Sequence, residues 1–169
     1  MINYSTIRNK NIWNLNSFLR EIEWLKVADI TISDLIFYKG DLITTGNGVY
    51  IFRHSDEYIY VGSCVARNFV KRIPAHFDLR EGDHWLNAMV NRMISVEHNG
   101  CNSKEEAGRL AISEFELLLI NFEEYDREAI LNLEDLLRIV LLPLNQYRRK
   151  RIRDGSTLRV IDYLRRNRY

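Results

Sequence analysis

Gly46-Asn47-Gly48-Val49-Tyr50-Ile51-Phe52-Arg53-His54-Ser55-Asp56-Glu57-Tyr58-Ile59-Tyr60-Val61-Gly62-Ser63 is the stretch on which the fold turns. Two short β-branched and aromatic runs, residues 49–52 and 58–61, flank a turn-like His54-Ser55-Asp56-Glu57. That pattern predicts a β-hairpin. Alternation along a strand sets Val49 and Ile51 on one side, Tyr50 and Phe52 on the other. By the same rule Tyr58 and Tyr60 oppose Ile59 and Val61, so Tyr50 and Tyr60 share a sheet face. Tyrosine is an ordinary strand residue at a half-buried surface, so the hairpin alone names no chemistry.

Upstream, residues 11–28 read as an amphipathic helix, with Ile12, Leu15, Leu19, Ile22 and Leu25 near helical spacing. Residues 33–45 have room for a short strand before the glycines of Gly46-Asn47-Gly48 punctuate the chain. Downstream, residues 70–77 and 84–98 are helical candidates, the second carrying Leu86, Met89, Val90 and Met93 on one face. Ser103 followed by Glu106 makes a capping box for another helix. Residues 115–120 are strand-like, and residues 126–142 form a strong helix ended by Pro143. The order predicts an α+β fold with a small central antiparallel three-stranded sheet flanked by helices. The expected organisation is an N-terminal helical extension at 1–45, a core at 46–145, and an arginine-rich extension at 146–169 packed on the same domain.

The chain has 169 residues, 46% of them apolar and 28% charged, which suits one globular domain. Two cysteines, Cys64 and Cys101, exclude a disulfide scaffold and suit a reducing compartment. Residues 1–26 lack the basic start and apolar run of a signal peptide. Glu134, Asp135 and Arg138 interrupt the best apolar stretch, at 129–144. The expectation is a cytoplasmic protein that crosses no membrane. The net charge of +1 hides an asymmetry. Residues 146–169 hold nine basic and two acidic residues, and the remainder holds 15 basic and 21 acidic. Arg148, Arg149, Lys150, Arg151 and Arg153 lead that tail. A basic tail on an acidic body suits a polyanionic partner, or equally a solvated helix end that neutralises the body.

Two further features carry candidate chemistry. Arg72 and His76 lie four apart, on one helix face, where they suit a phosphate or form an ordinary exposed pair. Pro74 between them is tolerated if the helix begins near residue 70. Glu134 falls at the edge of the apolar arc of its helix, with Asp135 and Arg138 on the polar side. A carboxylate there needs a cation or a salt bridge. It is either a metal ligand or the partner of an arginine such as Arg72.

Together these pieces resemble the GIY-YIG nucleases. Gly48-Val49-Tyr50, nine residues, then Tyr60-Val61-Gly62 is similar to the two triplets of that signature, with valine for isoleucine in both. Arg72 and His76 match its helix arginine and following histidine. Glu134 matches its later glutamate, and Asn145, after Pro143, its asparagine. His84 looks like a further histidine found in phage homing enzymes of the family. The resemblance covers residues 46–145. Arg67 competes with Arg72, because the loop from Gly62 to Arg72 is longer than in those enzymes.

The resemblance implies hydrolysis of a phosphodiester with Mg²⁺ or Mn²⁺ held by one carboxylate, Glu134. Tyr50 would accept the proton of the attacking water and Tyr60 would orient it. Arg72 would stabilise charge on the phosphate, and His76 would position the phosphate or relay a proton. Asn145 would orient Tyr50 or close the helix on the hairpin. His84, Arg67, Lys71, Arg148, Arg149, Lys150, Arg151 and Arg153 would contact nucleic acid. A chain with extensions and no separate recognition domain is more like a restriction or defence DNase than a homing enzyme. A catalytically inactive binding domain and an RNase are the alternatives, and a homodimer stays open.

Overall fold

The computed structural model describes residues 1–42, 46–80 and 86–145. His84 and the arginine-rich tail, with Arg148, Arg149, Lys150, Arg151 and Arg153, lie outside the described residues. The elements in chain order are β1 (Ile2–Asn3), α1 (Ile12–Glu21), β2 (Leu25–Lys26), α2 (Ile32–Ile36), β3 (Phe37–Tyr38) and β4 (Asp41–Leu42). There follow β5 (Gly48–His54), β6 (Glu57–Cys64), α3 (Phe69–Ala75), α4 (Ala88–Ser95), α5 (Lys104–Glu114), β7 (Phe115–Asn121) and α6 (Arg127–Leu141).

The hairpin β5–β6 forms, with Tyr50 opposite Gly62 and Ile51 opposite Val61. A bulge in the register at Phe52 and Arg53 overturns part of the expected alternation: Ile59 packs on the Tyr60 face and Tyr58 on the Val61 face. β7 pairs antiparallel with the other side of β5. The sheet nevertheless departs from the expected small three-stranded antiparallel one: among the described residues it has five strands. β1 pairs parallel with β7 at Ile120 and Asn121, and β2 pairs antiparallel with it at Leu117 and Glu116. The cause is the outer edge of β7. Its N–H and C=O groups need partners when covered, and the N-terminal segment supplies them in two-residue pieces.

Both faces of the sheet are buried. Tyr50, Phe52, Tyr60, Leu117 and Leu119 pack under α3, α4 and α5, through Phe69, Ile73, Met89, Met93 and Ala107. Val49, Ile51, Val61, Leu118 and Ile120 pack under α1 and α6, through Leu15, Leu19, Ile130 and Leu137. Two-sided burial explains the continuous apolar run Leu117-Leu118-Leu119-Ile120 in β7. Each such side chain contributes roughly 1.5–3 kcal/mol relative to exposure.

The helix ends follow local rules. Both hydrogen bonds of the Ser103–Glu106 capping box form at the start of α5. Asp126 caps α6, which stops at Leu142 in the left-handed region (φ 51°) just before Pro143. α1 is shorter than its periodicity suggests, because the chain turns extended at Ile22 to reach β2. α3 begins at Phe69 with Asn68 as its cap, so Pro74 falls in the second turn, not the first. There it removes a bond to the Val70 carbonyl, and the helix ends one residue later. Among the described residues, no helix is long and apolar enough to cross a membrane.

Candidate active site

Two glycines of the hairpin make the site possible. A Cβ on Gly48 would lie 2.0 Å from the Ile120 carbonyl oxygen, so β7 approaches β5 this closely only against glycine. A Cβ on Gly62 would lie 2.3 Å from Tyr50 Oη. The Tyr50 ring therefore lies across Gly62 on β6, the outer strand of the sheet. Tyr60 stacks beside it, with ring centroids 6.2 Å apart and planes 12° from parallel.

α3 brings two donors to the same oxygen. Arg72 Nε donates to Tyr50 Oη at 3.0 Å, and His76 Nε2 lies 2.7 Å from it. The histidine tautomer follows from its other nitrogen. Met89 N–H donates to His76 Nδ1 at 3.3 Å, so the neutral ring carries its hydrogen on Nε2 and donates to Tyr50. Burial, then the neighbouring Arg72 charge, holds His76 well below the usual histidine range. Tyr50 Oη thus receives two hydrogen bonds and keeps its own hydrogen for a third group. Burial, followed by Tyr60, pushes the Tyr50 phenol well above the free tyrosine value, and Arg72 pulls it down. Arg72 acts on Tyr60 in the same sense. Of the two candidate arginines, Arg67 is exposed in the β6–α3 loop, and Arg72 reaches the tyrosines. Lys71 is exposed on α3 beside it.

Glu134 approaches from the opposite face, on α6. Ser63, next to the second triplet on β6, donates to Glu134 Oε2 at 2.6 Å. Arg138, one turn along the helix, pairs with Glu134 Oε1. The salt bridge to an arginine therefore exists, but the partner is Arg138 and not Arg72. Arg138 leaves the polar side expected of it, because its long side chain also reaches the Val61 carbonyl at 3.1 and 3.2 Å. Burial pushes the Glu134 carboxyl above its usual range, with Arg138 and the Ser63 hydrogen bond opposing. Its charge is felt by both Tyr50 and Tyr60.

Asn145 does not reach Tyr50. Its side chain accepts from Val61 N–H at 3.0 Å and donates to the Val61 carbonyl at 2.7 Å. Leu144 N–H donates to the Ile59 carbonyl at 3.1 Å, and Arg92 of α4 binds the Leu144 carbonyl. The segment after α6 is thereby laid along the free edge of β6, which fixes α6 and Glu134 relative to the hairpin. Ser63, Arg138 and Arg92 were not singled out in the sequence. Only Ser63 carried a usable signal, since alternation sets it on the Val61 face, toward α6.

A divalent cation would find one buried carboxylate here, with hydroxyl and cationic neighbours. Among the described residues, no three His, Cys, Asp or Glu side chains form a metal cage. A carboxylate offers about four acceptor positions, and Ser63 and Arg138 take two. One carboxylate with water and phosphate oxygens is a donor set that suits Mg²⁺, so Glu134 fits the expected ion. Comparison with protein families finds that residues 46–127 match the model of the GIY-YIG catalytic domain. Neither the curated proteins nor the solved structures yield a match.

Proposed function

We propose, from the premise that residues 46–127 belong to the GIY-YIG nuclease superfamily, that this chain is a metal-dependent DNA endonuclease of restriction or defence type, working in the cytoplasm. The family consists of phosphodiester hydrolases, and a nuclease domain of this kind acts on nucleic acid. The observation that carries the reading is Tyr50 Oη, held by Arg72 at 3.0 Å and His76 at 2.7 Å. Both neighbours donate, so both favour the phenolate. Burial keeps Tyr50 a phenol in the resting site. It first gives its hydrogen to solvent; the phenolate held by the two donors then takes a proton from the water that attacks phosphorus, and the phenol is restored. The 3′ oxygen departs from the opposite side of the phosphorus.

Arg72 is placed to stabilise charge that develops on the phosphate, an effect of roughly 3–4 kcal/mol for one well-placed donor in comparable sites. Neutral His76 holds Tyr50 and excludes water from its inner side. Tyr60 orients the water or the Tyr50 hydroxyl. Glu134 would hold the Mg²⁺ or Mn²⁺, with Ser63 orienting the carboxylate. Such an ion would supply positive charge that stabilises the leaving oxygen. Asn145 acts through Val61 as a positioning residue. Arg67 and Lys71, exposed near the start of α3, bind the DNA backbone together with His84 and the arginines of the tail.

The test is cleavage of supercoiled plasmid and of linear phage DNA with Mg²⁺, with Mn²⁺ and with EDTA, alongside Glu134→Ala. Discrete fragments that vanish with EDTA and in the variant support the proposal. A smear makes the chain a non-specific DNase. No cutting of DNA, with RNA cut or merely bound, overturns the DNA endonuclease reading.

A further inference from the structure

The hairpin's far end holds a second cluster of chemistry that the nuclease site does not use. His54, at the end of β5, lies on the same strand face as Tyr50 and four residues beyond it, about 13 Å along the strand. His54 Nε2 donates to Glu114 Oε2 at 3.0 Å, which leaves His54 Nδ1 with a bare lone pair. Two groups face that one lone pair: His98 Nε2 and Asn99 Nδ2, each at 3.2 Å. A single in-plane lone pair takes one good hydrogen bond, so the two groups compete for it.

The amide of Asn99 turned over places Oδ1 at that point instead, since the two ends of an amide are equivalent in shape. Three lone pairs then meet: two imidazole nitrogens and one amide oxygen. Nitrogens bound to one tetrahedral ion at about 2.0–2.1 Å stand about 3.3 Å apart, close to the 3.2 Å between His54 Nδ1 and His98 Nε2. The Glu114 carboxylate on the far nitrogen of His54 is the usual outer partner of a metal-bound imidazole, fixing its tautomer. The turn that delivers His98 and Asn99 is strained. Glu97, Asn99 and Gly100 all have positive φ, at 51°, 48° and 76°. Backbone held in this region by its surroundings marks a place where side-chain aim matters. His98 is nearly buried, and exposed Asn99 and Glu114 leave a path from solvent.

We propose that His54, His98 and Asn99, with Glu114 as the orienting carboxylate, form a binding site for one divalent transition-metal ion of the Zn²⁺ class, separate from Glu134. Imidazole donors select Zn²⁺, Ni²⁺ or Cu²⁺ over Mg²⁺, so the two sites do not compete for one ion. An ion there ties the hairpin tip to α5 and to the 97–100 turn.

The experiment titrates the full-length chain carrying Glu134→Ala, which removes the other candidate ligand, with Zn²⁺ by calorimetry and with Co²⁺ by visible absorption. The expected result is one ion per chain and a tetrahedral Co²⁺ spectrum. His98→Gln then weakens binding by about 10-fold to 100-fold, the range for a damaged metal site. Asn99→Asp tightens it, because a carboxylate replaces a neutral oxygen at a position whose backbone asparagine and aspartate both tolerate. If the site is only a hydrogen-bond cluster, Asn99→Asp loses a donor and gains no ion. Absence of saturable uptake, unchanged affinity in His98→Gln, or weaker binding in Asn99→Asp overturns the proposal. If His98→Gln does not fold, the direction of the Asn99→Asp change decides alone.

Discussion

Replacing Gly62 by alanine puts a methyl carbon where the Tyr50 ring now lies. The added Cβ would stand 2.3 Å from Oη, 2.4 Å from Cζ and 2.9 Å from Cε2. Carbon contacts settle at about 3.5–4.0 Å, so the ring must withdraw by about 1 Å or more. It has no room to do so, because Phe52, His76 and Tyr60 enclose it. Overpacking of this kind costs about 1–3 kcal/mol. In a chain of this length each kcal/mol lowers Tm by about 2–4 °C, so a fall of about 2–12 °C is expected. Withdrawal of Oη from Arg72 and His76 also misplaces the reacting group, and about 1 Å of misplacement lowers a rate about 100-fold. Thermal melting by circular dichroism reads the first effect, and single-turnover plasmid relaxation in Mg²⁺ reads the second. A Gly62→Ala protein with Tm within about 1 °C of the parent, below the smallest overpacking cost, would refute the placement of the ring. Unchanged relaxation with a lowered Tm would refute the role of Oη.

Ser63→Ala removes the 2.6 Å hydrogen bond to Glu134 while leaving the carboxylate in place. The Mg²⁺ concentration needed for half-maximal cleavage should rise about 10-fold to 100-fold, as for other residues that orient a metal ligand; an unchanged requirement would detach Ser63 from the site. His76 gives a pH dependence of stability. Its folded-state pKa lies well below the ordinary 6.5, so the unfolded chain binds the extra proton. The stabilising contribution is present above about pH 6.5 and is lost as pH falls below it. The Tm difference between the parent and His76→Gln should therefore shrink between about pH 7 and pH 5, and a difference that grows on acidification would reverse the assignment.

What the residues disclosed and what they hid divides along physical lines. The hairpin was legible because strand alternation and turn residues are local, and the separation of Tyr50 and Phe52 from Val49 and Ile51 onto two faces follows from it. Capping by Ser103 was legible for the same reason. β1 and β2 were not, since two-residue strands have no pattern of their own and exist only because the edge of β7 needs partners. Arg72 and His76 could be placed on one face but not on one oxygen. Their meeting at Tyr50 depends on the empty side chain of Gly62. Glu134 was visible as a carboxylate in need of a partner. Arg138 was hidden as that partner because a helical wheel shows where a side chain starts, not that its guanidinium curls back to the Val61 carbonyl. Asn145 was visible by its place after Pro143, yet its actual work, saturating the backbone of an edge strand, is a tertiary fact.

The central claim is that the Tyr50 hydroxyl performs chemistry and does not merely fill space under α3. Tyr50→Phe removes one oxygen and keeps the ring on Gly62. The account predicts that single-turnover cleavage of DNA in Mg²⁺ falls by about 100-fold to 10,000-fold, the usual worth of a general base, while DNA binding measured by fluorescence anisotropy stays unchanged. Cleavage that proceeds at the parent rate in Tyr50→Phe would contradict it.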